Sequence, residues 1–419
     1  MPKTRALTPG FDRTTLPNGV RVVTETIPSV RSVAVGAWVH AGSRDEAADQ
    51  NGITHFIEHL VFKGTERRRG YLINQRMESV GGYLNAFTSK EHTCFYARGL
   101  DEHLDRALDT VLDLVSRPTL PPREIEKEKD VVVEEIKMYE DTPEDLIFDH
   151  FEGAMYPQHA LGRPVLGTPE TVRSFSRDDL AGYMDRHYVP NRLVVAVAGH
   201  VRHADAVRLV EKHLAGFERG PQPLVRVPST AYVPVDLTLE RPIQQAHLVV
   251  GAPAFGLHDP RRTALSVLNT ILGGGMSSRL NQNIREKYGF CYSIYSFANL
   301  QQDSGDFGVY MGTDASRVGR ARQLIVRELH KLAATPVSAR MLARAKQQLK
   351  GSLMLGVESM SNRMMRLGRV ELAFERHETL DEVVAQVEAV TAEQVRAVAE
   401  ALFAEERLST VSIVPSGEG

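Results

Sequence analysis

Apolar positions along this chain recur with two periods. Over Ser32–Val39 and 93–97 they alternate with small or polar residues, which predicts strands. Residues 193–198 form a near-continuous apolar run and read as a strand buried on both faces. Asn18-Gly19 supplies the positive φ of a tight turn leading into a further strand that includes Val20, Val22 and Val23. Helical spacing marks 53–63, 72–80, 101–115, 122–139 and 203–214. Gly64 is placed to end the first of these at its C′ position, Gly81-Gly82 to break the second, and Pro121-Pro122 to open the fourth.

The pattern dissolves at 217–234, where Gly220, Pro221, Pro223, Pro228 and Pro234 interrupt any period, and this stretch reads as a linker. Beyond it the order of elements begins again. A strand is predicted at 246–251, then a helix at 262–272, in the place that 53–63 holds in the first half. Thr391 and Gln394 form a capping box ahead of a helix to Phe403, and a final strand covers 408–414. In the first half Ser176 to Asp179 likewise opens a helix before the last strand. Two halves of similar size and order indicate internal duplication, with domains at 1–216 and 235–419.

A chain of 419 residues exceeds what one hydrophobic core serves, which agrees with two domains. Apolar content of 42% and charged content of 25% are those of an ordinary globular protein. A formal charge of -3 points to neither nucleic acid nor an anionic membrane as partner. Cys94 and Cys291 form neither a disulfide framework nor a CxxC site, which suits a reducing compartment. Residues 1–7 carry positive charge without a following apolar stretch, and no apolar run approaches the roughly 20 residues of a membrane span. The expected location is cytoplasmic.

Chemistry concentrates in His55-Phe56-Ile57-Glu58-His59. Histidines four apart lie on one helix face, since a turn takes about 3.6 residues. Two imidazoles on a rigid helix supply two of the three protein ligands of a hydrolytic zinc site, and the neighbouring Glu58 has the position of a general base. The order His-x-x-Glu-His is one of the zinc-peptidase signatures. Glu128 and Glu135, two turns apart on the helix after Pro122, are candidates for the third ligand. By itself a Lys- and Glu-rich helix is more often a solvated face.

Taken together, His55, Glu58, His59, Glu128 and Glu135 resemble the M16 family of zinc metallopeptidases, which includes the mitochondrial processing peptidase β subunit, pitrilysin and insulin-degrading enzyme. The resemblance implies that Glu135, 76 positions past His59, is the third ligand of one Zn2+ per chain, with Glu128 a supporting acid. It extends to residues 82–88, similar to an edge strand on which Asn85, Ala86 and Phe87 would bind an extended peptide. It also covers 272–280 and 285–293, where Arg285 and Tyr292 would contact peptide and the transition-state oxygen. Asp145 and Asp149 match acidic positions that contact an arginine upstream of the cut. The implied fold is α+β: two related halves, each a mainly antiparallel sheet packed with helices. The implied function is a zinc endopeptidase or oligopeptidase acting on extended peptides within a homodimer. The competing expectation is a non-catalytic scaffold or partner subunit of the same fold.

Overall fold

A computed structural model describes Leu7 and residues 10–218, 220–229 and 232–416. The N-terminal residues 1–6, and residues 219, 230 and 231 of the expected linker, lie outside this set. The chain forms two compact units, one from Met1–Ile136, Pro164–Arg226 and Gly356–Glu378, the other from Lys137–Arg163, Val227–Leu355 and Thr379–Gly419.

The first unit is built on β1 (Gly10–Thr15), β2 (Arg21–Thr26), β3 (Ser32–Val39), β4 (Tyr83–Thr88), β5 (Thr93–Leu100) and β6 (Leu193–Gly199), ordered β1-β2-β6-β3-β5-β4. Only β2 and β6 run parallel; every other neighbour is antiparallel. Along the chain lie α1 (Ile53–Val61), α2 (Gly70–Glu78), α3 (Leu104–Ser116), α4 (Pro122–Glu140), α5 (Pro143–Met155), α6 (Pro169–Ser174), α7 (Arg177–His187) and α8 (His203–His213). Both faces of the sheet are covered, which explains the unbroken apolar runs in β3 and β6. Val33, Val35, Ala37 and Val39 join the core of α1, α3, α4, α7 and α8. Ala34 and Trp38, one residue out of phase, face the other way and pack with Val194, Ala196 and Ala198. That second face is closed by Met364, Leu367 and Leu372, which come from much later in the chain.

The second unit repeats the plan with β7 (Asp236–Arg241), β8 (Ala246–Ala254), β9 (Cys291–Leu300), β10 (Gly305–Thr313) and β11 (Ser409–Pro415), ordered β7-β11-β8-β10-β9. Again a single pair, β7 with β11, is parallel. Substituting β2, β6, β3, β5 and β4 in turn reproduces this order, so the duplication read from the sequence is one of topology, with β1 an addition. The later helices along the chain are α9 (Arg262–Gly273), α10 (Val318–Ala334), α11 (Ala339–Gly356), α12 (Met360–Phe374), α13 (Leu380–Ala389) and α14 (Ala392–Leu402), of which α12 belongs to the first unit. One sheet face packs with α9, α10 and α14. The other is covered by Leu146, Ile147, Phe151 and Met155 of α5. Each sheet thus has its outer face covered by a helix from the opposite half of the sequence, α12 on the first and α5 on the second. The division at 217–234 describes the repeat in the chain, and the compact units exchange one helical segment across it.

Residues 217–218, 220–229 and 232–235 carry neither helix nor strand. Arg226 pins this stretch: its side chain is buried and donates to Asp45 at 2.7 Å and to the Glu91 carbonyl at 2.7 Å. No helix among the described residues is long and apolar enough to cross a membrane.

Candidate metal centre

Helix α1 is amphipathic in a restricted sense. Ile53, Phe56, Ile57, Leu60 and Val61 occupy one face and are fully buried, and His55, Glu58 and His59 lie on the opposite face, which is itself buried or half-buried. Its start is fixed by Gly52, at φ 92 in the left-handed region, where a side chain would also run into the backbone of Leu166 and Gly167. The first turn is capped by a residue outside the helix: Glu46 accepts from the N–H of Gly52 at 2.8 Å, the N–H of Thr54 at 2.9 Å and Asn51 Nδ2 at 3.0 Å. Burial pushes this carboxyl up to about 7, opposed by those hydrogen bonds, and its ionised form would also meet the positive end of the helix dipole. The far end departs from expectation. The helix stops at Val61 with Phe62 as its cap, and Gly64 forms a bridge with Arg69 instead of a C′ turn.

Helix α4 brings the acids. Ile125, Val132 and Ile136 anchor it in the core, and Glu128 lies on the buried side while Glu135 is partly exposed. Glu135 Oε2 lies 3.4 Å from His59 Nε2 and 3.9 Å from His55 Nε2. One ligand atom from each of His55, His59 and Glu135 falls within 4.8 Å of the others. Zinc held by nitrogen and oxygen at about 2.0–2.1 Å spaces neighbouring donors by roughly 3.3–3.4 Å, so this donor set fits the ion with little movement. Glu128 stands one layer back. Its Oε1 is 2.9 Å from His59 Nδ1 and its Oε2 2.7 Å from Lys63 Nζ. The Nδ1–H donated to Glu128 leaves the Nε2 lone pair of His59 facing Glu135, the tautomer a ligand requires. Among the described residues His55 has no such partner: its Nδ1 is buried without a hydrogen bond.

The electrostatics sort these groups. Burial, aided by neighbouring His59, pushes the pKa of His55 down to about 3, so its imidazole is neutral at pH 7. For His59 burial works in the same direction but is outweighed by the Glu128 hydrogen bond and by the charges of Glu135, Glu128 and Glu58, which raise it. Burial opposes ionisation of Glu128, yet His59 and Lys63 together hold its pKa low. Burial raises the Glu58 carboxyl, partly offset by a hydrogen bond from Thr88 Oγ1 at 2.5 Å. A carboxylate raised toward neutrality is a better proton acceptor than a solvated one.

The other expected residues fall in several places. Asn85, Ala86 and Phe87 lie in β4, the last strand of the first sheet. Arg285 and Tyr292 belong to the second unit, where the guanidinium lies 5.9 Å from the phenol ring centre and Tyr292 is 84% exposed. Asp145 and Asp149 are on α5, also in the second unit. Three residues near α1 escaped the sequence reading: Glu46, Lys63 and Thr88. Thr88 has the one recoverable signal, since it shares strand parity with Ala86 and so a face of β4.

Residues 21–169 match a family model described as Insulinase (Peptidase family M16), and residues 174–349 match one described as Peptidase M16 inactive domain. An uncharacterized zinc protease of Bacillus subtilis, YmxG, is 42% identical over 97% of this chain and 98% of its own length. An uncharacterized zinc protease of Streptomyces coelicolor is 44% identical, covering 92% and 86%. A probable mitochondrial-processing peptidase subunit beta of Arabidopsis thaliana is 32% identical, covering 96% and 78%. Among solved structures, a protease from Helicobacter pylori shares the fold with a TM-score of 0.91 at 22% identity, covering 97% of this chain and 100% of that one.

Proposed function

As the chain belongs to the M16 family of peptidases, we propose that it is a zinc-dependent endopeptidase or oligopeptidase that hydrolyses extended peptides and unfolded segments. The observation that carries this reading is the convergence of Glu135 of α4 on His55 and His59 of α1, the helix that also carries Glu58. Those three side chains would hold one Zn2+. Bound there, the ion supplies a Lewis acid and lowers the pKa of a coordinated water to about 7.

The protein's own groups handle protons and orientation. Glu58 takes a proton as water oxygen bonds to the scissile carbonyl carbon, and returns it to the amine as the C–N bond breaks. Glu128 keeps His59 in one tautomer and one ring orientation. Among the described residues strand β4 pairs with β5 alone, and its other edge would take an extended peptide as an added strand. Recognition through main-chain hydrogen bonds selects an unfolded conformation more than a sequence.

Metal analysis combined with cleavage of a quenched peptide, for the wild type and Glu58→Gln, tests the proposal. Both proteins should bind zinc equally, and the variant should cleave roughly 10²- to 10⁴-fold more slowly. Equal cleavage overturns the role of Glu58. A wild type that neither binds zinc nor cleaves after zinc addition supports the scaffold reading instead.

A further inference from the structure

We infer that Thr88 is a positioning residue for Glu58, fixing the base to the strand that receives the peptide; this rests on the peptidase reading above. Thr88 Oγ1 donates to Glu58 Oε2 at 2.5 Å, and among the described residues it is the only hydrogen-bond partner of the Glu58 side chain. A glutamate has three rotatable bonds, and fixing them costs side-chain entropy. One donor on one oxygen is enough to stop the carboxylate swinging while the other oxygen stays free to accept a proton. Threonine is suited to the task, because a β-branched side chain on a strand has a restricted χ1 and presents its hydroxyl in one direction.

Strand register makes the link specific. Side chains alternate, so Thr88 shares a face with Leu84 and Ala86, which pack against the core containing α1. Phe87 points the other way and packs beside Trp38. A slip of one residue would replace the hydroxyl at Glu58 by the Phe87 ring. The pairing of Thr88 with Thr93 of β5 holds that register from the inner side. On the outer side β4 has no neighbouring strand among the described residues, and a bound peptide would supply the second ladder. The base is therefore best placed when the strand that carries the substrate is itself fully paired.

The test compares Thr88→Val and Thr88→Ser with the wild type, loaded with zinc for kinetics and stripped of it for stability. Thr88→Val should lower kcat by roughly 10- to 100-fold, the equivalent of a lost hydrogen bond to a charged group, with KM changed by less than about twofold. Thr88→Ser should restore kcat to within about threefold of wild type. In the zinc-free protein Thr88→Val should lower the thermal midpoint by about 2–4 °C, and by less than about 1 °C when added to Glu58→Ala, since the partner is already gone. A Thr88→Val protein with wild-type kcat overturns the inference and leaves the peptidase reading standing. So does a serine variant as slow as the valine one, or equal thermal losses on both backgrounds. A wild type that binds zinc and cleaves no peptide overturns the reading and the inference together, whereas the thermal coupling of Thr88 and Glu58 would remain as a structural fact.

Discussion

Helix α1 follows the central strand β3 of the first sheet, and α9 follows β8, which holds the same place in the second. The first carries His55, Glu58 and His59; the second, from Arg262 to Gly273, carries no histidine and no carboxylate. Helix α4 presents Glu128 and Glu135, and its counterpart α11 has lysines, arginines and glutamines but no acid. Yet the structural devices of the two units agree. Gly36 of β3 lies under Met364 of α12, and Gly251 of β8 lies under Phe151 of α5. Asp109 on α3 is clamped by Arg67 and Arg76, each at 2.7 Å, and Glu328 on α10 by Arg279 at 2.8 Å and Lys331 at 2.6 Å. The comparison separates frame from chemistry: a duplicated fold stands without the ligands, so the ligands are an addition to it.

The sharpest way to break that comparison is to remove a ligand. His59→Ala or Glu135→Gln should abolish stoichiometric zinc binding and reduce peptide cleavage by at least about 10³-fold, while circular dichroism stays that of the wild type. Ser266→Ala, on the exposed side of α9, should leave both within about twofold. Zinc lost from the α9 variant, or a ligand variant that fails to fold, would mean that chemistry and frame are not separable.

The glycines under the exchanged helices give a smaller and opposite contrast. A methyl group at Gly36 meets the flexible end of Met364, which can move aside, together with the edge of Trp38. At Gly251 it meets the Phe307 carbonyl and the Phe151 ring, which cannot yield as readily. Gly251→Ala should therefore destabilise by about 2–4 kcal/mol and Gly36→Ala by about 1–2 kcal/mol, read from chemical denaturation. The reverse ranking would show that α12 is the more rigidly seated of the two helices.

The parts legible in the sequence were those set by local period. His55 and His59 are four apart, and that spacing alone puts them on one face of a helix. The strands Ser32–Val39 and Leu193–Gly199 were visible as apolar runs because both of their faces are covered. What covers them was not visible. Leu146, Ile147 and Phe151 in α5, and Met364, Leu367 and Leu372 in α12, mark apolar helix faces, but nothing in a helix period names the sheet it will meet. β9 begins at Cys291, inside a stretch singled out for Arg285 and Tyr292, and chemistry obscured the strand. Glu46 caps α1 through a loop whose conformation, not its spacing, aims the carboxylate. Lys63 became relevant only once Glu128 was seen to be buried beside His59.

The last contrast separates the units by acid. Three histidines of the first unit are held neutral. Burial, then the charge of Arg226, takes His40 down to about 3, and the guanidinium donates to its Nε2 at 3.2 Å. Burial, then Arg369 and Arg226, takes His92 to about 3. Burial, then Arg192, takes His187 to about 4, with Arg192 Nη1 2.8 Å from its Nδ1. An unfolded histidine titrates near 6.5, so the unfolded chain takes up protons that the folded unit refuses. The associated stability is fully present above about pH 6.5 and is lost as pH falls from there toward 3–4, on the order of 1–2 kcal/mol per histidine between pH 7 and 5. In zinc-free protein His55 adds to the loss, and His59, whose pKa is raised, works against it. In the second unit His150 and His247 are lowered by burial as well, but with smaller displacement. Trp38 is the chain's one tryptophan and sits in the first sheet, so its fluorescence reports that unit alone. Its unfolding midpoint in denaturant should fall between pH 7 and 5 by more than the midpoint followed by far-ultraviolet circular dichroism. A tryptophan midpoint indifferent to pH over that range would show that these histidines are protonated in the folded unit after all, and that the two units share one acid response.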